Sequence, residues 1–255
     1  ASHRTSSNSI PSASPIIRIL VDADACPVKD EIVRVAERAA LSAATRVIVA
    51  TDDQRIAEAC KSAGVDVAMT RTDHETGTDR LSEVVTALDL GDDAIVVNVQ
   101  GDEPEIPASA IDAVAAMLDA DRGAAMSTLC HPIHDIADVI NPNVVKCVVA
   151  ETGNALYFSR APVPFSRDAW ASGATVVPAG LPIYRHIGLY AYRVSFLRSF
   201  PALTVPAIER HEALEQLRAL AHGYRIRVAV VDDPLPPGID TPEDYARLLA
   251  RGNQH

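Results

Sequence analysis

The chain has 255 residues, of which 48% are apolar, enough for one large domain with a substantial core. Its 23 basic and 34 acidic residues give a net charge of −11, which argues against general binding to nucleic acid or to acidic membranes. A small anionic substrate stays compatible with that charge, because a few arginines and a divalent cation reverse the field inside one cleft.

Residues 1–15 are rich in Ser and Pro, carry no hydrophobic signal core and read as a disordered tail. Strand-like and helix-like segments then alternate. Strands are expected at 16–21, 46–51, 65–69 and 94–99, and helices at 28–43, 54–62, 79–88 and 108–119. This rhythm predicts βαβ units around a mostly parallel sheet, an α/β fold. From about residue 124 the pattern changes. Strands at 124–130, 144–149, 155–159 and 184–192 are joined by proline-rich loops. Helices at 194–199 and 209–221, a strand at 225–231 and a last helix at 241–251 complete the chain. The expected organisation is a nucleotide-binding part over about 16–123 and a smaller mixed α/β part over about 124–235. The four cysteines, Cys26, Cys60, Cys130 and Cys147, form no CxxC pair, so a zinc site or disulfide framework is not expected and a cytoplasmic location fits. No stretch is long and apolar enough to cross a bilayer.

The densest chemistry lies in Val96-Val97-Asn98-Val99-Gln100-Gly101-Asp102-Glu103-Pro104, where a β-branched strand ends in a glycine and two carboxylates. Ligands of open α/β sheets bind outside such strand ends, and a carboxylate there holds a metal or a ribose. The alternative is a polar turn into the next helix. In the segment 70–80, Thr76 or Thr78 reads as a helix cap with Asp79 in the first turn, which leaves Arg71, His74 and Arg80 unexplained. At 238–244, Thr241 caps and Pro242 opens a helix, so Asp240 stands outside it, as a surface turn residue or the second carboxylate of a metal site. Phe158-Ser159-Arg160, Arg185-His186-Ile187-Gly188 and Leu214-Glu215-Gln216-Leu217-Arg218 place polar groups inside apolar elements. They read as internal ion pairs or as the lining of a cleft for a hydroxylated acid.

Taken in this order, and with Asn141-Pro142-Asn143, these segments resemble the 3-deoxy-manno-octulosonate (Kdo) cytidylyltransferases, the CMP-Kdo synthetases, from about residue 33 to the last helix. The resemblance implies a Rossmann-like nucleotidyltransferase fold, CTP and Kdo as substrates, and a homodimer formed through the 124–235 part. CMP would pass from CTP to the anomeric hydroxyl of Kdo, releasing pyrophosphate, for lipopolysaccharide biosynthesis. It also implies roles. Asp102 and Asp240 would hold Mg²⁺; Arg71, Thr78 and Gln100 would approach the nucleotide; Arg160, His186, Tyr190, Glu215 and Gln216 would line the Kdo side, Arg160 suiting its carboxylate.

One part departs from that family. Its Pro-Ala-Arg turn and the following Ser-x-Arg-Leu-Pro-x-Lys-Pro-Leu loop, whose cations grip the triphosphate, are absent. In their place stands Val21-Asp22-Ala23-Asp24-Ala25-Cys26-Pro27, which resembles the opening of the small YaiI/YqxD family over residues 19–38. Asp22 and Asp24 read as caps of the next helix, the alternative being a site for a further divalent ion. The departure sets a second expectation beside the first, a catalytically impaired homologue that binds Kdo or nucleotide. A sialic-acid cytidylyltransferase fits the quoted segments less well.

Overall fold

The computed structural model describes residues 17–22, 29–101, 103–232 and 234–235. The expected tail, Asp24, Cys26, Asp102, Asp240 and the last helix therefore lie outside the described residues.

The first half alternates as its pattern predicts. Strand β1 (Ile17–Asp22) leads to helix α1 (Lys29–Ala39), β2 (Arg46–Thr51) to α2 (Gln54–Ser62), β3 (Asp66–Met69) to α3 (Gly77–Ala87), and β4 (Ile95–Gln100) to α4 (Ala108–Ala120). The second half holds β5 (Met126–Pro132), α5 (Ile136–Ile140), β6 (Lys146–Val149), β7 (Ala155–Ser159), the long β8 (Tyr184–Arg193) and α6 (Val194–Ser199). A 3₁₀ turn at Phe200–Ala202, α7 (Ala207–Glu212), α8 (Gln216–Ala221) and β9 (Ile226–Val230) follow.

Among the described residues the nine strands form one sheet in the order β3-β2-β1-β4-β8-β5-β9, with β6 on β8 and β7 on β6. β3, β2, β1 and β4 run parallel, β8 runs against its neighbours β4 and β5, and β9 is parallel to β5. Strands from either side of residue 123 thus share the same sheet. Side chains alternate across it, as a strand requires. Ile19 and Val21 of β1 pack with Ile32 and Val35 of α1 and Ile111 and Val114 of α4. Leu20 packs on the other face with Leu81 and Val85 of α3, Phe196 of α6 and Leu217 of α8. A separate apolar cluster around Trp170, Val139 and Ile183 supports the long loop between β7 and β8.

Two expectations need correction. The first helix ends at Ala39 instead of residue 43, where the Ser42 hydroxyl bonds back to the Ala39 carbonyl and turns the chain. The single helix expected over 209–221 is two short helices, α7 and α8, broken at Ala213, which adopts the left-handed conformation at φ 49° and ψ 51°. Among the described residues no helix is long and apolar enough to cross a membrane.

Candidate active site

At the carboxyl ends of β1 and β4 the sheet opens into a cavity of about 360 Å³. Its polar wall comes mainly from Asp22 and Gln100 at the strand ends, Gly77 and Thr78 at the start of α3, alternate residues from His186 to Tyr192 along β8, and Leu214 to Gln216 at the start of α8, with Met126, Val145 and Phe200 closing it. Asp22 and Gln100 are register partners on neighbouring strands, so both side chains project from the same edge. Gly101 donates its N–H to the Asp22 carbonyl at 2.8 Å, which ties the turn after β4 to the end of β1.

Glycine is needed here twice. A Cβ on Gly77 would collide with Asp22 Oδ2, so the residue lets α3 begin directly against β1. A Cβ on Gly188 would stand 3.2 Å from Gln100 Nε2, so this glycine leaves room for the amide. The helix start itself is capped as its sequence predicts, the Thr76 hydroxyl accepting from the Asp79 N–H with Asp79 in the first turn.

β8 brings His186, Gly188, Tyr190 and Tyr192 to the cavity because alternate residues share a face. Its register on β5 shifts between Thr128 and Leu129, where Thr128 faces Tyr190 but Leu129 faces Ile187. Gly188 and Leu189 are therefore extra residues, and two extra residues preserve the alternation. Thr128 stitches the irregularity. Its hydroxyl lies 3.0 Å from the Ile187 carbonyl, 2.8 Å from that of Leu189 and 3.1 Å from His186 Nε2. One hydroxyl proton serves the carbonyls, so the oxygen accepts from Nε2–H and Nδ1 is left as an acceptor. Burial between Phe158 and Tyr190, ring centroids 5.0 and 5.1 Å away, lowers the His186 pKa to about 3, so the ring is neutral at physiological pH.

Several polar atoms in this cavity are sealed from solvent without a partner among the described residues: Asn98 Oδ1, the Tyr190 hydroxyl and Glu215 Oε1. An unsatisfied buried polar atom costs about 1–3 kcal/mol, a cost that a complementary ligand removes. Burial raises the Glu215 carboxyl to about 7, against the opposing effects of the Thr78 hydroxyl and the Arg218 guanidinium. Tyr190 and Tyr192 are pushed upward by burial and stay neutral donors.

Of the residues singled out by sequence, Thr78, Gln100, His186, Tyr190, Glu215 and Gln216 meet on this one cavity. Arg71 and Arg160 do not. Arg71 is 66% exposed and reaches Asp73 at 3.4 Å and Glu83 at 3.7 Å, beside a second cavity of about 670 Å³ that His74 and Leu203 also line. Arg160 directs its guanidinium to the carbonyls of Glu212, Pro142 and Ala213 at 2.6, 2.9 and 3.3 Å. His74 and Arg80, unexplained by capping, are structural: His74 bonds Glu83, and buried Arg80 reaches Thr70 at 2.6 Å, Asp52 at 3.4 Å and Asp22 at 3.5 Å. Sequence reasoning gave Tyr192 no role, favoured a cap over a cation site for Asp22, and quoted Asn98 in the strand-end run without assigning it to a ligand. A polar Asn98 inside an apolar strand was a usable signal; Asp22 looked like an ordinary cap.

Among the described residues no group of three or more His, Cys, Asp or Glu side chains gathers as a metal site. The donors that do face the cavity, the Asp22 carboxylate and the amides of Asn98 and Gln100, are hard oxygen-bearing groups of the kind Mg²⁺ accepts. They fit such an ion. Cys60, Cys130 and Cys147 are buried free thiols elsewhere.

The cytidylyltransferase family profile matches residues 32–226. A solved structure of CMP:2-keto-3-deoxy-manno-octonic acid synthetase complexed with CTP is 36% identical over 95% of this chain and 99% of its own, with a TM-score of 0.82. A cytidylyltransferase from Leptospira borgpetersenii (15% identical, 92% of this chain and 85% of that one, TM-score 0.54) shares the fold. So does 4-diphosphocytidyl-2C-methyl-D-erythritol synthase from Anaerococcus prevotii (11% identical, 94% and 99%, TM-score 0.58). The chain therefore belongs to the cytidylyltransferase family, in the group of the CMP-Kdo synthetases.

Proposed function

We propose that the protein activates Kdo by transferring CMP from CTP to its anomeric hydroxyl, releasing pyrophosphate, as a step of lipopolysaccharide synthesis. The observation that carries this reading is the meeting of Thr78, Gln100, His186, Tyr190, Glu215 and Gln216 on one cavity of about 360 Å³, a size suited to small ligands. Their chemistry is complementary to a polyhydroxylated acid. His186 Nδ1 and Asn98 Oδ1 accept from hydroxyls, Tyr190 donates, and Glu215 does either according to its proton. Gln100 and Thr78, at the strand end and helix start, serve the nucleotide. No side-chain nucleophile is required, since positioning and charge neutralisation carry most phosphoryl transfers. Asp102 and Asp240 would hold Mg²⁺, which when bound neutralises phosphate charge and lowers the pKa of a coordinated hydroxyl. The reading has the protein act in the cytoplasm as a homodimer, with no nucleic-acid or membrane partner.

A second reading rests on a specific feature. Among the described residues lining the cavity there is no lysine or arginine, and the acids there are Asp22, which Arg80 reaches at 3.5 Å, and Glu215, which is charged only once its raised carboxyl loses its proton. Carboxylates repel a triphosphate unless a cation stands between them. The second reading is thus a Kdo-binding homologue that uses CTP poorly. Pyrophosphate release from CTP plus Kdo with Mg²⁺ separates the two. The first reading expects turnover that needs both substrates and is lost in Asp102→Asn. Turnover surviving that change would refute the metal assignment. Absence of turnover with calorimetric binding of Kdo alone would establish the second reading, and binding of neither ligand would remove both.

A further inference from the structure

Glu215 and Gln216 reach the cavity from a corner that a helical sequence does not make by itself. Ala213 sits in the left-handed region between α7 and α8, at φ 49° and ψ 51°. A residue with a Cβ enters that region at a cost and stays there only when its surroundings hold it. The Ala213 and Leu214 N–H groups bond back to the Glu209 carbonyl, and Arg160, just past the end of β7, bonds to the corner from outside the helix. Nε donates to the Glu212 carbonyl at 2.6 Å, and the two terminal nitrogens donate to the carbonyls of Ala213 at 3.3 Å and Pro142 at 2.9 Å. The Glu212 carboxylate answers from the other side, accepting from the Ser159 hydroxyl at 2.7 Å and the Arg160 backbone N–H at 2.8 Å. Lys146, fully buried, anchors this strand end in turn, its Nζ donating to the Arg160 carbonyl at 2.6 Å and to those of Asn141 and Val144.

We infer that Arg160 is a positioning residue: by gripping the carbonyls of Glu212 and Ala213 it fixes the left-handed corner that delivers Glu215 and Gln216 to the cavity. The planar fork matters, because three carbonyls at fixed angles suit a guanidinium and not a single ammonium. Only the identity of the ligand rests on the function proposed above. The state of Glu215 reports the corner directly. Its carboxyl faces the cap Thr76, Thr78 and Asp79 at the start of α3, Arg218 of α8, and Tyr190 and Tyr192 of β8, and none of these changes in the variants below.

The test uses the full chain, with the Glu215 carboxyl titrated by carbon-13 NMR in the ligand-free protein and steady-state kinetics run in parallel. In Arg160→Lys the Glu215 midpoint is expected to fall from about 7 toward the ordinary carboxylate range. KM for Kdo should rise about tenfold while KM for CTP stays within about twofold, as loss of positioning on one side of a site requires. Adding Ala213→Gly, which occupies the left-handed region freely, should recover about threefold of that loss. A folded Arg160→Lys protein with the wild-type Glu215 midpoint, an equal loss for both substrates, or no recovery with glycine would each overturn the inference. If Arg160→Lys does not fold, Ser159→Ala removes one bond to Glu212 and should move the midpoint in the same direction; an unchanged midpoint overturns the inference. If the wild type neither binds nor uses Kdo, the proposed function fails, and the Glu215 titration still decides the role of Arg160.

Discussion

Two glutamates six residues apart, Glu209 buried and Glu215 half-buried, show how differently the same side chain is used in this molecule. Glu209 lies against Arg218, its oxygens accepting from Nε at 2.9 Å and a terminal nitrogen at 2.5 Å, with the guanidinium carbon 4.3 Å from the centre of the Phe200 ring. Both partners are almost fully covered and mutually satisfied. Glu215 has one oxygen sealed without a partner among the described residues, faces the cavity, and is raised to about 7. A satisfied buried pair is architecture. A half-buried acid with one sealed, unpaired oxygen beside an open cavity is a candidate ligand contact.

Removing one partner of the satisfied pair should have the largest effect. Arg218→Met leaves the Glu209 charge buried alone, and urea denaturation should show a loss of about 3–5 kcal/mol. A loss under 1 kcal/mol would mean that Glu209 rehydrates easily and that the pair is less enclosed than its burial suggests.

Glu215→Gln should behave in the opposite way. Because the folded carboxyl titrates near 7 and a free one near 4.5, the folded state binds the proton more tightly. Below the free pKa both states are protonated and the wild type pays no penalty. As pH rises between these values the wild type loses stability, and above the folded pKa the full penalty, about 3 kcal/mol, is present. The glutamine variant should therefore match the wild type at pH 4 and exceed it at pH 8 in denaturation, while kcat/KM for Kdo falls about 100-fold. A wild-type stability curve parallel to that of the variant across this range would contradict the raised pKa.

Gly188→Ala sharpens the comparison at the cavity edge. The new methyl group forces the Gln100 amide to move by a few tenths of an ångström, so a several-fold loss in kcat/KM with little change in stability is expected. The smallest effect belongs to surface pairs. Arg46 and Asp66 meet at 2.7 Å but are 45% and 54% exposed, and Arg46→Ala should leave both activity and the denaturation midpoint nearly unchanged.

The fold was readable because its signals are local. Alternating β-branched strands and amphipathic helices mark β1 to α4, and the Thr76 cap places the start of α3 within a residue or two. The break at Ala213 was not readable. Residues 209–221 are good helix formers, and the corner is imposed by the Arg160 and Glu212 bonds, which join residues more than 50 positions apart. The same limit applies to the arginines. Sequence can say that Arg71, Arg80 and Arg160 need partners, but only the tertiary contacts show that their charges are engaged by Asp73 and Glu83, by Asp22 and Asp52, and by backbone carbonyls. Asp22 illustrates the reverse error. A carboxylate after a strand is usually a cap, and here the close approach of Gly77 turns it into part of the cavity wall.

The most direct test of the cavity as the substrate site is a crystal of the protein soaked with Kdo in the presence of CTP. Density for the sugar acid is expected between His186, Tyr190, Glu215 and Gln216, with Glu215 bonded to a hydroxyl. Density in the second cavity beside Arg71 and Leu203, or none at saturating Kdo, would contradict the assignment.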